Sequence, residues 1–256
     1  MPVLFAGHGS PMNAIEDNRW SRGFKGLRDF VGRPRSVLAI SAHWTVGGTF
    51  LTDNERPQTI HDFGGFPKEL YTIEYPAPGN PDLAARTAAL LEEFGASLRS
   101  DWGLDHGTWS VLRFVFPDAD VPVVQLSIDG RRSSKDHLEI GRAIAPLREE
   151  GVLIFASGNV VHNLGHAMAQ VRAKEPSTPA WASAFDAGVA RALEARDEAY
   201  LVGALETPDG RMAHPTPDHY FPLLYAFGAS ERRDAVRFPI TGFDLGSLSM
   251  RAVLYG

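Results

Sequence analysis

Short apolar runs alternate with amphipathic stretches along most of this chain. Val3-Leu4-Phe5-Ala6, Ser36-Val37-Leu38-Ala39-Ile40-Ser41, Pro122 to Ile128 and Val152-Leu153-Ile154-Phe155-Ala156 are runs of strand length. Such runs predict strands buried on both faces. Trp20, Phe24, Leu27 and Phe30 or Val31 recur at helical spacing and predict a helix over 16–31. Asn80 caps a second predicted helix, with Pro81 in its first turn, that runs to about Phe94. Thr108 is placed to cap a third, through Phe114, and Ser133 or Ser134 opens a fourth that Gly151 ends. Trp181, Phe185, Val189 and Leu193 mark a fifth over 178–196. Thr216 with Pro217 starts a sixth, holding His219 in its first turn. Shorter strands are predicted near 48–52, 96–99, 236–240 and 248–254. The alternation predicts an α/β fold: a single domain over 1–256, with a central mixed, largely parallel sheet flanked by helices on both faces.

Composition narrows the partners. The chain has 256 residues, 44% hydrophobic and 22% charged, ordinary for a soluble globular protein with a sizeable core. No linker-like tract divides it, and its longest apolar runs fall short of a membrane span. The N-terminus enters a strand without the basic segment of a signal peptide, so a cytoplasmic protein is expected. A net charge of −6 gives no electrostatic reason to expect nucleic acid or an anionic membrane as partner. A homo-oligomer is left open. There is no cysteine, so a transition metal would be held by histidine and carboxylate alone.

The chemistry lies in the histidines. His8 follows the first strand between Gly7 and Gly9, and His43 follows the second. His162 follows the Val152 run through Ser157-Gly158-Asn159. Carboxyl ends of strands are where open α/β sheets place their chemistry. His106 stands between Asp105, a candidate to orient its ring, and Gly107. His219 faces inward with Leu223 from its helix start. His61, in the ordered loop 59–67, reads as pocket lining. His137 reads as solvated and His214 as exposed. His166 reads as an ordinary helix residue, because Asn163 stands where a zincin needs glutamate after its first histidine. Each histidine alone has a structural explanation. Five together exceed what a structural site needs and favour a catalytic Zn(II) or Fe(II) centre, with hydrolysis and oxygen chemistry both open.

Six segments carry a resemblance. His8-Gly9-Ser10-Pro11, Ser41-Ala42-His43-Trp44, His61-Asp62-Phe63-Gly64-Gly65-Phe66-Pro67, Trp102-Gly103-Leu104-Asp105-His106-Gly107, Gly158-Asn159-Val160-Val161-His162-Asn163 and Pro215-Thr216-Pro217-Asp218-His219-Tyr220 resemble the class III extradiol ring-cleavage dioxygenases, in their 4,5-DOPA dioxygenase-like branch. The resemblance implies an oxidoreductase that opens a catechol ring with O2, the catechol being DOPA-like or otherwise substituted. It implies one divalent metal, Fe(II) for catalysis or Zn(II) as bound in isolation. His8, His43 and His219 would be ligands, His219 standing where better-known members carry glutamate. His162 would sit at the metal, as acid–base group or fourth ligand, and His106 would be an acid–base histidine. Phe63, Phe66, Tyr220 and Phe221 read equally as an aromatic wall or as core. Arg19 and Arg211 are the candidates for a substrate carboxylate. Two other readings use the same histidines: a Zn(II) hydrolase active without oxygen, and a non-catalytic metal-binding protein.

Overall fold

The apolar runs pair side by side. A computed structural model, which describes residues 1–174 and 177–256, contains strands β1 (Val3–Gly7), β2 (Ser36–Val46), β3 (Phe50–Thr52), β4 (Ser97–Arg99), β5 (Val123–Asp129), β6 (Val152–Gly158), β7 (Val236–Arg237), β8 (Phe243–Asp244), β9 (Leu248–Ser249) and β10 (Ala252–Tyr255). Eight of them form one sheet in the order β4-β3-β5-β2-β6-β1-β10-β7, and β8 and β9 form a separate ribbon. The centre is parallel: β2 pairs with β5 and β6, and β6 with β1. Antiparallel pairs join β1 to β10, β10 to β7 and β3 to β5.

Helices α1 (Arg19–Val31), α2 (Pro81–Leu90), α3 (His106–Val115), α4 (Ser134–Ile144), α5 (Leu164–Ala173), α6 (Ala180–Ala195), α7 (Glu198–Gly203), α8 (Pro208–Ala213) and α9 (Phe221–Ala229) lie around it. Side chains of a strand alternate between faces, and both faces here are covered. Val3, Phe5, Leu38 and Ile40 pack with residues of α2, α4, α6 and α9, whereas Leu4, Ala6, Val37 and Ala39 pack with α1 and α3. This is the predicted α/β architecture. Among the described residues, no helix is long and apolar enough to cross a membrane.

Several local expectations are corrected. β2 continues past Ser41 through His43 to Val46, and its register against β5 shifts between Ile40 and Thr45. Irregularities of this kind re-aim side chains at strand ends. The helix expected to reach Phe94 stops at Leu90, followed by a 3-10 turn over Glu92–Phe94. Asp105, not Thr108, caps α3: its carboxylate accepts from the Thr108 N–H at 3.2 Å. The last helix starts at Phe221 rather than after Thr216. Residues 217–220 form a turn instead, closed by Tyr220 N–H to Pro217 O at 3.0 Å, so Pro222 falls within the first turn of α9, where its missing N–H costs little. His137, expected in solvent, is fully buried. α4 packs on α9, and the His137 ring lies 4.1 Å from that of Phe221 with Nδ1 3.0 Å from the Tyr225 hydroxyl. The closing strands are shorter than predicted.

Candidate metal centre

The order β2-β6-β1 sets three parallel carboxyl ends side by side. His8 leaves β1 and donates its backbone N–H to Gly158 O at 3.1 Å. His43 projects from the C-terminal half of β2. At the end of β6, Asn159 N–H donates to His219 O at 2.9 Å, which pins the turn before α9 against the strand. A Cβ on Gly158 would stand 2.2 Å from that carbonyl oxygen, so only glycine permits the approach. His162 is held by its backbone N–H to Ala213 O at 3.0 Å. His106 is the first residue of α3. A Cβ on Gly107 would lie 2.5 Å from Ser41 Oγ and 3.0 Å from His43 Cδ2, so glycine lets the helix start press against β2.

These five histidines converge. The His43 ring centroid is 3.8 Å from that of His106, 5.0 Å from His8 and 5.1 Å from His219. His8 is 5.3 Å from His219, and His162 stacks on His219 at 3.5 Å with planes 4° apart. His8, His106 and His219 are buried; His43 and His162 are half-buried.

Oxygen atoms behind the rings set their orientation. Ser157 Oγ donates to Gly107 O at 2.6 Å, so it accepts from His8 Nδ1–H at 2.9 Å. One oxygen of Asp62 accepts from His43 Nδ1–H at 3.0 Å and from His106 Nδ1–H at 2.9 Å. The other accepts the His106 backbone N–H at 2.9 Å. Asp218 holds His219 Nδ1. With Nδ1 protonated, Nε2 carries the lone pair, the arrangement of metal-binding histidines. The Nε2 atoms of His8 and His43 are 3.1 Å apart. A proton on His43 or a metal ion satisfies two such nitrogens. Ligand atoms on one ion, with bonds of ~2.0–2.1 Å, stand ~3 Å apart. Potential ligand atoms of His8, His43 and His106 lie within 4.8 Å of one another. The donor set therefore fits one divalent ion.

The electrostatics agree. Burial, then the neighbouring imidazoles, hold His8 and His219 well below the usual histidine range. Burial, then His43, lowers His106 to about 4. Burial lowers His162 to about 3. All four are neutral near pH 7. Burial also acts to lower His43, but its hydrogen bond to Asp62 and the charges of Asp105 and Asp62 raise it overall. Asp62 is partly desolvated, yet its hydrogen bonds to His106 and His43 hold it far below the usual carboxylate range. It is an anion at any working pH.

Residues 2–244 match the family described as the catalytic LigB subunit of aromatic ring-opening dioxygenase. The chain belongs to this family. Its LigB-family relatives include the 4,5-DOPA dioxygenase extradiol of Escherichia coli K12, 46% identical over 100% of this chain and 95% of that protein. The protein of the same name from Beta vulgaris is 38% identical, over 96% of this chain and 93% of its own length. An uncharacterised protein of E. coli K12 has a solved structure that superposes with a TM-score of 0.85 at 40% identity, over 100% of both chains.

For this LigB-family chain, the fold brings together all five histidines singled out in the sequence. It leaves others out. His61 Nε2 lies 3.0 Å from Ile73 O, and His166 Nδ1 3.3 Å from Ser247 Oγ. His214, expected to be exposed, is buried with Nε2 2.8 Å from Val160 O, beside Ala213, whose carbonyl accepts the His162 N–H. Asp105 does not orient His106. It caps α3 and accepts from Ser41 Oγ at 2.7 Å, bracing the strand beneath His43; burial pushes it up to about 6. Tyr220 and Phe221 belong to the core, and the Tyr220 hydroxyl donates to Leu201 O. Phe63 stands edge-on to His106 at 5.4 Å, with Phe66 a further 5.4 Å away. The sequence reading missed the orienting oxygens of Asp62, Asp218 and Ser157. Asp218 is adjacent to its histidine, whereas Asp62 and Ser157 are brought in by folding alone.

Proposed function

We propose that residues 1–256 form a single catalytic domain that opens a substituted catechol ring in extradiol fashion with O2 and one Fe(II). His8, His43 and His219 hold the metal, with His162 beside it as acid–base group or fourth ligand. His106 is the second acid–base residue. The observation that carries this reading is the convergence of five imidazoles whose Nδ1 atoms are tied to oxygens or whose rings stack on one that is. His106 lies with His8 and His43 in the trio whose potential ligand atoms are within 4.8 Å of one another; the resemblance of its segment gives it the acid–base role. Its Nδ1–H on Asp62 suits a base whose cation is neutralised at once.

The metal, when bound, supplies Lewis-acid binding of the catechol oxygens and activation of O2. The chain supplies proton positions and water exclusion. His106 Nε2 is free to take a hydroxyl proton, because its Nδ1–H is committed to Asp62 at 2.9 Å. The resulting imidazolium faces the Asp62 carboxylate. His162 is neutral and half-buried, so it is the second group able to receive and return a proton at the open side. Phe63 stands edge-on to His106 and places an apolar side chain beside it.

The E. coli and Beta vulgaris relatives are named for DOPA, so a DOPA-like catechol is the first substrate to test. Protein purified without oxygen and loaded with Fe(II) or Zn(II) is mixed with a catechol panel, and the yellow ring-opened product is followed. Fe-dependent product formation supports the proposal. Turnover of a hydrolysable ester or amide by the zinc-loaded protein without oxygen would favour the hydrolase instead. No reaction with any catechol, with metal retained, would move the weight to the hydrolase or binding-protein readings.

A further inference from the structure

The His162 ring is placed differently from the other four. Oxygens of Ser157, Asp62 and Asp218 tie the rings of His8, His43, His106 and His219. His162 is held by its backbone and by its stack on His219. That backbone lies against a strap formed by residues 247–251. Asn163 N–H donates to Ser247 O at 3.3 Å, Ser249 N–H to Val161 O at 2.9 Å, and Asn159 Nδ2 to Ser249 O at 2.8 Å. His162 itself bridges to Leu248. At its far end the strap is joined to β1, where Gly7 N–H donates to Arg251 O at 3.0 Å. A Cβ on Gly7 would stand 2.5 Å from Ser249 O, so the strap lies directly on the strand end that delivers His8.

A buried ion pair outside the histidine cluster fixes the strap. Asp186, on α6, is 6% exposed and Arg251 8%. One oxygen of Asp186 accepts from Ser249 Oγ at 2.6 Å and from Arg251 Nε at 3.0 Å, and the other holds Arg251 Nη2. The guanidinium also lies 4.6 Å over the Phe238 ring. The two arginines considered from sequence are engaged at the surface instead, Arg19 with Phe243 O at 2.8 Å and Arg211 with Glu206 at 3.4 Å. Helix α6 packs on α8 as well, and Ala213, the last residue of α8, accepts the His162 backbone N–H at 3.0 Å. One helix therefore supports the His162 backbone from two sides. Replacing a buried ion pair by apolar residues is often neutral or stabilising, so stability alone does not account for two charges at this place.

We propose that Asp186 is a positioning residue: through Ser249 and Arg251 it fixes the strap, and the strap sets where the His162 ring stands against His219. Its effect on turnover rests on the ring-cleavage reading, whereas the placement of the ring stands apart from it. His8 is held independently of the strap, because β1 pairs with β6 along its length and the His8 N–H donates to Gly158 O. The group that moves when the pair is broken is then His162.

The test uses the full chain and two variants. Asp186→Asn keeps the size of the side chain and an acceptor for Ser249, but sets an amide N–H against Arg251 Nη2. Ser249→Ala cuts the link to the strap while the ion pair stays whole, so it serves where Asp186→Asn fails to fold. Misplacement of a reacting group by ~1 Å costs about 100-fold, so at saturating Fe(II) kcat with DOPA should fall roughly 10-fold or more, at unchanged KM. The second readout needs no turnover: a long-range 1H–15N spectrum of histidine-labelled, Zn(II)-loaded protein. The His162 cross-peaks, identified by their loss in His162→Ala, should shift in both variants while those of His61 and His137 stay in place. A lower urea midpoint with kcat per folded molecule and the His162 cross-peaks unchanged would make the pair purely structural and overturn the proposal. Equal shifts of every histidine would overturn it too, as general loosening. If wild type opens no catechol, the ring-cleavage reading fails, and the cross-peaks alone decide whether Asp186 places His162.

Discussion

Asp62→Asn is the most informative single change. Asp62 uses both carboxylate oxygens as acceptors: one from the His106 backbone N–H at 2.9 Å, the other from His43 Nδ1–H at 3.0 Å and His106 Nδ1–H at 2.9 Å. Asparagine keeps one acceptor and turns the other into a donor. With its amide oxygen on the His106 backbone N–H, the side-chain N–H groups face both Nδ1 atoms, so His43 and His106 either leave a donor unpaired or move their proton to Nε2 and lose the lone pair a metal needs. One donor left unpaired in a buried site costs about 1–3 kcal/mol. Asp62 retains 17% exposure, which argues for the lower half of that range. The variant also removes the anion that offsets a metal held by neutral imidazoles. Outer partners of metal ligands typically affect affinity or activity by roughly 10–100-fold, and each tenfold corresponds to ~1.4 kcal/mol. Asp62→Asn should therefore weaken metal binding about 10-fold or more, measured by competition against a chromophoric chelator. At saturating Fe(II), kcat should still fall by a similar factor, because His106 has lost its counter-charge. A variant within twofold of wild type in both measurements, with an unchanged urea midpoint, would refute the role given to Asp62.

Other outcomes follow from the same geometry. His219→Ala should lose bound metal, whereas His106→Ala should keep it and lose turnover; metal analysis that finds the reverse exchanges their roles. His162→Ala should abolish ring opening, and near wild-type rates with DOPA would remove it from the site. His137 is buried and neutral, with its pKa lowered by burial from 6.5 to about 4. The unfolded chain therefore binds the extra proton first as pH falls, and the stability present above pH 6.5 is lost as pH drops toward 4, by on the order of 3 kcal/mol in total. His137→Phe should flatten the dependence of the urea midpoint on pH across that window, and parallel curves for the two proteins would contradict this.

Much of the site was legible because its geometry is carried by strand ends. The runs before His8, His43 and His162 are apolar on both faces, which marks central parallel strands, and neighbouring parallel strands share a carboxyl edge. The helices were less legible in detail. Asp105 and Thr108 are both good caps three residues apart, and the fold uses the earlier one, whose carboxylate also accepts from Ser41 and Gln125. His137 and His214 look solvated in a one-dimensional pattern, since a first-turn or pre-turn histidine is usually at the surface. Their burial comes from packing of α4 on α9 and of the end of α8 against the His162 segment, which no local pattern carries. Asp62 lay within a recognised segment, but that its one oxygen serves both His43 and His106, from 19 and 44 residues away, is a product of the closed fold.

The central claim is that His8, His43 and His219 hold a metal, with His162 and His106 beside it, and that this site opens a catechol ring with O2. Its most direct test is the stoichiometry of oxygen uptake by Fe(II)-loaded protein with limiting DOPA, with no reductant added. Ring opening by a dioxygenase predicts one O2 consumed for each catechol, with ring-opened product and no hydrogen peroxide. Absence of uptake, or uptake that appears as peroxide and quinone, would contradict it.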